Sequence, residues 1–506
     1  MSRILLRASS LLIALALTGT LPLHAQEVVG TPQAAPATGT LTLQECIVRA
    51  LKQGFDVQIQ GYTLANAKDS LEISKATFDP TLSMSASRSF SQSSSTTQSF
   101  ISGTPNPTSD SGTYSARVSK EFSTGGTATL GTSLNRSSSN SAYNNFNPSF
   151  SGGVALSVSQ PLLKNGGRNV ARAGVDRSTI GVARANLDFK AQVLNVVQNT
   201  ENAYYNYCFA REQEHVRQLS LDLANQALDE AKTRKTVGVA TDIDVLTAEV
   251  SVANARRQLI LAQQQTKNSA DSLLALIGRF ELDQPIGTTP FDDYTGPVPT
   301  IDAVYARALD NQPDYLSTKA ALDQSTIDVR VAKNAKNPDL SATGSLGYNG
   351  LDRSAGDVYQ DIPKGQSYNW SLGLTLTVPW GFRGDSARYR QALATFNQLQ
   401  TQLHQTEQNI LVQVRSAVRS VETNLESVKI AALATQLSEK NYDLEKARFD
   451  AGVSTARLLQ QSRDDLDTAR LNELQSRVTL RQAIVSLNRL QGTSLDLYKI
   501  QLEQIR

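Results

Sequence analysis

This chain contains itself twice. Slid 258 positions along its own length, Leu43–Ser83 falls on Ile301–Ser341 without a gap. Arg49-Ala50-Leu51 lands on Arg307-Ala308-Leu309, Asp56 on Asp314, Lys75 on Lys333, and Pro80-x-Leu82-Ser83 on Pro338-x-Leu340-Ser341. A shift of 214 lays Val237-Gly238-Val239-Ala240-Thr241 on Ala451-Gly452-Val453-Ser454-Thr455, and between the two matches Gln160-Pro161 corresponds to Val378-Pro379. Self-similarity at this scale predicts one supersecondary unit used twice. The unit reads helix, strands, long helix, turn, helix. The first copy occupies 41–280, a linker 281–300, the second copy 301–492, and a C-terminal segment 493–506. A length of 506 residues alone suggests about three domains; the duplication overrides that expectation.

The helical parts are too long for a globule. From Gly166 to Thr236 there is no proline, and glycine is confined to the first third. A continuous helix of about 70 residues would measure ~105 Å at 1.5 Å per residue. Its partner Asp242–Ile277 carries Val245, Ala248, Val252, Ala255, Leu259 and Ala262, alternating steps of three and four. The second copy repeats the pattern with Ile410, Val414, Ala417, Val421, Asn424 and Val428. Such seams pack knobs into holes, and their small and polar members suit helices that line something wet. The hairpins are expected at 166–278 and 384–491. Asp242–Ile277 covers half of its partner, so Asp56–Thr77 is expected to stack on its end and complete the column. Gly238 and Gly452 mark the turns as C′ glycines, Thr241 with Asp244 reads as a capping box, and Ser454 or Thr455 caps the second hairpin. Rods of this kind need lateral neighbours.

Between the helices the period switches to two. In Thr81–Ser91 the odd positions are Thr or Ser throughout, and the even ones are Leu82, Met84, Ala86, Arg88 and Phe90. Trp370, Leu372, Leu374, Leu376 and Val378 alternate with Ser371, Gly373, Thr375 and Thr377. Tyr114–Phe122, Thr127–Leu134, Phe150–Gln160 and Leu340–Tyr348 behave alike, so strands are expected at about 81–160 and 340–378. One apolar and one hydroxylic face, about ten residues at a time, is the pattern of a transmembrane β-barrel strand. A soluble sandwich would alternate too. The only two tryptophans, Trp370 and Trp380, bracket one strand at the spacing of two interfacial girdles. The connections Gln92–Gly112, Ser137–Ser149 and Gly350–Ser367 read as polar outer loops. Six strands cannot close a water-filled barrel, whereas a symmetric assembly closes the barrel and gives the rods their neighbours.

Residues Met1–Ala25 carry Arg3 and Arg7, an apolar run Leu11–Leu17 and a small residue at a plausible cleavage point, the order of a secretory signal peptide. No cysteine stands at that point to take a lipid anchor, and Gln26–Thr40 reads as a flexible lead-in. The chain has 49 Lys and Arg against 47 Asp and Glu; with Arg3 and Arg7 removed it is formally neutral, which argues against nucleic acid as a partner. Three His and two Cys leave no set for a zinc centre, and no nucleophile-elbow, P-loop or HExxH pattern is present. No enzyme, cofactor or metal is expected. Cys46 and Cys208 are either two isolated core residues or, lying at ~50 and ~60 Å along their helices, a bridged pair.

The ordered set of these residues resembles the outer-membrane efflux protein family, the TolC-like channels, over the mature chain. The resemblance rests on the duplicated layout, on Gln160-Pro161-Leu162-Leu163 before a Gly-Gly pair, on Gly238-x-x-Thr241-x-x-Asp244-Val245 and on Arg448-Phe449-x-x-Gly452. It implies a mixed α and β membrane protein: a homotrimeric transmembrane β-barrel in outer-membrane lipid continued by a long periplasmic α-helical barrel. The implied function is a passive exit duct of a tripartite efflux or type I secretion system, partnered by a periplasmic adaptor and an inner-membrane pump. A trimeric coiled-coil structural or adhesive protein is the alternative reading. The adaptor-facing turns would be Val237, Gly238, Val239, Ala451, Gly452 and Val453. The periplasmic constriction would involve Asp244, Phe449, Leu458, Gln461 and Asp465. Leu458 and Gln461 stand where the family often carries aspartates, so Leu458 is expected towards the axis with at most weak cation selectivity. An extra hairpin around Ser123-Thr124-Gly125-Gly126 leaves twelve or eighteen strands open.

Overall fold

The computed structural model describes residues 41–500 apart from 94–99, 101–102, 105, 143–146, 279–285, 290, 292–295 and 363–366. The expected signal peptide and lead-in, part of the linker and the last six residues lie outside the described residues.

Each half begins with two short helices. Helix α1 (Leu43–Gln53) starts from a capping box in which Thr42 Oγ1 accepts from the Glu45 N–H and Glu45 Oε2 accepts from the Thr42 N–H. After the break at Gly54, α2 (Phe55–Ala76) leads into the sheet. Strands β1 (Thr81–Gln92), β2 (Thr108–Glu121), β3 (Thr127–Ser139) and β4 (Ser149–Pro161) follow. A one-turn α3 (Arg168–Ala171) precedes α4 (Ala173–Thr236), and α5 (Asp242–Ile277) returns beside it. The second half holds α6 (Ile301–Asn311), α7 (Pro313–Asn334), β5 (Asp339–Asp352), α8 (Ala355–Asp361), β6 (Tyr368–Thr377), α9 (Arg383–Asp450) and α10 (Ala456–Gln491). A short α11 (Ser494–Leu497) ends the described chain.

Helix α4 has 64 residues and α9 has 68, ~96 and ~102 Å at the helical rise. The first is shorter than the uninterrupted run from Gly166 suggests. Asn165 and Gly167 adopt left-handed backbone, and the Asn165 N–H donates to Asn334 Oδ1 while Asn334 Nδ2 donates to the Leu163 carbonyl. That tie to the end of α7 sets where the long helix begins.

The six strands form one antiparallel sheet in chain order. The β2–β3 hairpin is fully in register between β1 and β4. Register carries the two-residue alternation across the sheet. Leu82, Val118, Leu130, Leu156, Leu346 and Trp370 stand opposite one another across all six strands. The adjacent rung is Thr81, Ser119, Thr129, Ser157, Ser345 and Ser371. Cross-strand hydroxyl pairs, such as Ser85 with Ser115 at 2.8 Å and Ser345 with Ser371 at 2.8 Å, hold the second face.

The apolar face has no core beneath it. Leu372 is 80 % and Leu374 73 % exposed, and every residue of β1 and β6 is exposed. A sandwich would bury that face. One element does cover part of it. The connection Gly350–Ser367, expected to be a polar outer loop, contains α8, capped by Ser354 Oγ accepting from the Gly356 N–H. Val358 of α8 is buried over Gly152 and Gly350, where a Cβ would stand 3.2 Å from Val358 Cγ1 and 2.4 Å from its carbonyl oxygen respectively. Leu351, Val358 and Ile362 are too widely spaced among polar residues to give a periodicity to read.

The cores lie among the helices. Ile47, Leu51, Val57, Leu64, Phe189, Val193 and Val197 bind α1 and α2 to α4. Val304, Ala308, Ile410, Val414, Val421, Leu480 and Leu487 do the same for α6, α9 and α10. The joints are close. A Cβ at Gly278, just past α5, would stand 2.2 Å from the Gln53 carbonyl oxygen at the α1–α2 break. Gly492, just past α10, faces Asn311 at the α6–α7 break in the same way. So α5 and α2 stack end to end against α4, and α10 meets the α6–α7 break while α9 runs past both. Across the lower layer the packing order is α5, α4, α10, α9; across the upper it is α2, α4, α7, α9.

Cys46 and Cys208 are both free and buried, in one cluster with Tyr204, Tyr207, Leu273 and Ile277. They are neither isolated from each other nor bridged, and burial pushes the Cys46 thiol up to about 11.

The C-terminal segment docks on α4 through Leu495 and through Tyr498, whose hydroxyl donates to the buried Glu201 carboxyl. Tyr205 is the other titratable group beside Glu201, and Arg481 acts on Tyr205. Burial pushes the Glu201 carboxyl up to about 7 from 4.5. The folded state therefore binds the proton more tightly than the unfolded one. Its stabilising effect is complete below pH 4.5 and is lost as the pH rises through 7. At 1.36 kcal/mol per unit the swing is bounded at ~3 kcal/mol. Glu201→Gln should flatten it, so hydrogen exchange at Leu495–Ile500, corrected for intrinsic rates, should quicken between pH 5 and 8 in the wild type and not in the variant.

Candidate conduit and its two ends

The two faces of the sheet and the two helical turns are where the residues singled out above sit. Trp370 projects from the apolar face of β6, and Trp380 follows that strand in the turn to α9; both are exposed. Among the described residues no helix is long and apolar enough to cross a membrane.

At the opposite end the turns are alike. Gly238 and Gly452 adopt left-handed backbone with φ of 79° and 76°, and nothing stands within 4 Å of a Cβ at either. Only the turn conformation demands glycine there. Val237, Val239 and Val453 are exposed at the tips with Gly238, Ala451 and Gly452. Three valines in water are costly unless something covers them.

The expected constriction residues do not form one cluster within a single chain. The Asp244 carboxylate is occupied by its own cap, with Oδ2 accepting from the Thr241 N–H at 2.8 Å and Oγ1 at 2.7 Å. Those bonds hold it below the usual carboxylate range. Phe449 lies under the Arg234 guanidinium, 4.3 Å from ring centroid to Cζ, which ties the tip of α4 to the tip of α9. Leu458, Gln461 and Asp465 fall at steps of three and four on one exposed stripe of α10. The stripe's opposite side, Ser462, Arg463, Leu466 and Asp467, is buried against α4.

Sequence reasoning missed that buried side. Arg463 Nη2 donates to the Ser220 carbonyl, and the Ser220 hydroxyl donates to Asp467 Oδ2. Arg463 is only 7 % exposed. Burial lowers the Arg463 pKa, and the nearby Asp467 carboxylate acts the other way. A charged pair at i and i+4 reads as a solvated helix face, and nothing in the local pattern distinguishes it.

The family model for "Outer membrane efflux protein" matches residues 46–279 and 304–493, one match to each half of the chain. The chain belongs to the outer membrane efflux protein family. It is 28 % identical to the pyoverdine export outer membrane protein OpmQ of Pseudomonas aeruginosa over 375 residues, covering 71 % of this chain and 76 % of that protein. Against the outer membrane protein TolC of Escherichia coli it is 21 % identical over 309 residues, covering 58 % and 62 %. The Campylobacter jejuni CmeC outer membrane channel has the same fold, with a TM-score of 0.67 at 18 % identity, covering 94 % of this chain and 95 % of that one. The CusC channel gives 0.67 at 14 % identity, covering 89 % and 92 %. As a member of this family the protein is an outer-membrane exit duct for efflux, and a passive channel rather than an enzyme.

Proposed function

We propose that three copies of this chain close into one tube across the outer membrane and periplasm, through which a pump and its adaptor discharge solute. The observation that carries this reading is that both flanks of the protomer lack a neighbour among the described residues, and that they match. On one flank stand the open edge of β1 and the column of α2 and α5; on the other stand the open edge of β6 and α9. The first flank exposes Phe55, Ile59, Tyr62, Ile243, Leu246, Val250 and Ile260. The second exposes Val412, Ile430, Leu433, Leu437 and Leu444. A groove of about 510 Å³ beside α5, lined by Leu228, Val252, Ala253 and Ile260, is open to a helix of the next copy. Open edges of this length invite pairing with another chain, and a head-to-tail contact that closes forms a ring.

Three copies of a six-stranded sheet make eighteen strands, enough for an aqueous lumen. The apolar rungs then face lipid, the hydroxyl rungs face water, and Trp370 and Trp380 mark the two interfaces. The duplicated halves give each protomer two helical hairpins in the periplasmic wall. At its tip the exposed valines Val237, Val239 and Val453 are the surface an adaptor covers, and Leu458, Gln461 and Asp465, with Asp244 and Phe449 beside the turns, narrow the opening. OpmQ exports pyoverdine according to its name, which is compatible with a small organic cargo here.

Native mass spectrometry of the detergent-purified protein, followed by planar-bilayer recording, tests the assembly. The expected result is a single species of three chains that inserts as one conducting unit. A monodisperse, folded single chain overturns the reading.

A further inference from the structure

The water-facing side of the sheet is nearly free of charge. Register places Ser83, Arg117, Gly131, Ala155, Gly347 and Asn369 on one rung of that face. On the same face the six strands otherwise carry Ser, Thr, Asn, Gly, Ala, Leu351 and Pro161, with Glu121 and Asp339 only at the ends nearest the helices. The connection Ser137–Ser149 contains no charged residue at all. Arg117 is exposed, and none of the ion pairs among the described residues uses it. Its stem passes Gly131, where a Cβ would stand 3.9 Å from Arg117 Cβ and Cγ.

The other two arginines of the strands show what a paired position looks like. Arg88 and Arg136 lie on the opposite face and share Asp110. Arg88 Nε and Nη2 donate to its two oxygens at 2.9 and 2.8 Å, and Arg136 Nη1 donates at 3.0 Å. Arg117 has no such partner among the described residues.

We propose that Arg117 makes the outer-membrane segment of the duct favour anionic solutes, carboxylates and phosphates above all. This rests on the trimeric reading, in which three Arg117 side chains ring a lumen otherwise lined by hydroxyls and amides. No carboxylate stands on the same rung. Glu121 lies four residues further along β2, ~13 Å away at the strand rise, and Asp339 at the same end of the sheet. At its own level each guanidinium therefore dominates the field. Its range is ~10 Å at 0.1 M salt and ~30 Å at 0.01 M. The effect is a bias on transit rather than a tight binding site, because one charge in a wide, wet lumen gains little against water.

Thiol reactivity reads the field without requiring the periplasmic end to open. Ser133→Cys places a thiol on the water-facing side one strand from Arg117, and Leu130→Cys places one on the apolar side. Both native cysteines are buried. In outer-membrane vesicles at ~0.1 M salt, which screens Glu121 and Asp339 more than the nearer Arg117, Ser133→Cys should react with anionic sulfonatoethyl methanethiosulfonate ~2-fold faster, relative to the cationic trimethylammonium reagent, than a free thiol does. Arg117→Gln should return the ratio to that of the free thiol, and Arg117→Lys should retain it. A ratio indifferent to Arg117→Gln overturns the anion preference and leaves the duct standing. A reactive Leu130→Cys beside an unreactive Ser133→Cys overturns the assignment of faces, and both proposals with it.

Discussion

Gly278→Val should reduce the yield of folded protein more than ten-fold, while alanine at Gly238 or Gly452 leaves it close to that of the wild type. All three glycines have φ near +80°, so the backbone conformation alone predicts similar penalties for the same substitution, about 1 kcal/mol for alanine. Their surroundings differ completely. At Gly238 and Gly452 a new Cβ enters open space. At Gly278 it would stand 2.2 Å from the Gln53 carbonyl oxygen and 2.8 Å from the carbon behind it, and backbone cannot swing aside as a long side chain can.

Valine adds a β-branched side chain in a left-handed conformation. The only relief is to separate α5 from the α1–α2 break. That exposes Leu273, Leu274 and Ile277, which with Cys46 and Cys208 fill the cluster beside the joint. Strain and lost burial together reach the exceptional range of ~4 kcal/mol or more. Gly492→Val should fall between the extremes, because the nearest atom there is Asn311 Cβ at 3.0 Å, with the carbonyl oxygen at 3.2 Å. Thermal melting of the four variants should therefore rank Gly278→Val below Gly492→Val, and both below the alanine variants. A Gly278→Val protein that melts with Gly238→Ala would show that the stacked joint carries no weight.

The graded series also shows what a sequence can and cannot disclose here. Gly238 and Gly452 announce themselves because a helix must end there and the next begins with Thr241 or Thr455 as a cap. Gly278 and Gly492 are related by the same shift of 214, yet their importance lies in a neighbour more than 150 residues away in chain order. Strands were legible for a simpler reason. A two-residue period assigns each side chain to a face, and antiparallel register then carries the assignment across β1–β6 without further information. That the extra hairpin joins the sheet is seen in Thr113↔Asn135 and its neighbours, pairings that turn chemistry at Gly125-Gly126 allows but does not dictate.

Buried polar groups were the least legible. Glu201 sits in a helix whose seam is otherwise Val193, Val197 and Tyr204, and its burial depends on a C-terminal segment that only tertiary structure brings near. Leu458 and Gln461 could be placed on one helical stripe from their spacing. Which way that stripe faces depends on the other side of α10, and there the pattern of charges gave the wrong impression.

That other side supports the second large effect. Arg463→Met should raise the hydrogen-exchange rate of the α4 and α10 amides around Ser220 and Asp467 by about ten- to a hundred-fold, the equivalent of ~1.5–3 kcal/mol for removing a charged donor from a buried carbonyl. Asp467 would then be left in a nearly dry interface with the Ser220 hydroxyl alone, and the Ser220 carbonyl would lose the Arg463 donor. Asp464 cannot compensate, because a second carboxylate supplies no donor and repels Asp467. Asp467→Asn should cost less, since an amide keeps a hydrogen bond and the guanidinium retains the carbonyl. The informative variant is the double one. Arg463→Met with Asp467→Leu removes both charges together, and apolar replacements of a buried pair are commonly neutral or stabilising. Protection should return to about the wild-type level, giving a coupling energy of ~1–3 kcal/mol in the double-mutant cycle. Single and double variants that lose protection equally would mean that packing volume, not charge pairing, holds the first hairpin to the second. If the cycle closes as expected, the pair's contribution is alignment. Two long helices with small, repetitive seams can slide by a turn, and a donor and a carboxylate locked on Ser220 fix the level at which the two tips, and with them Leu458 and the exposed valines, meet the periplasm.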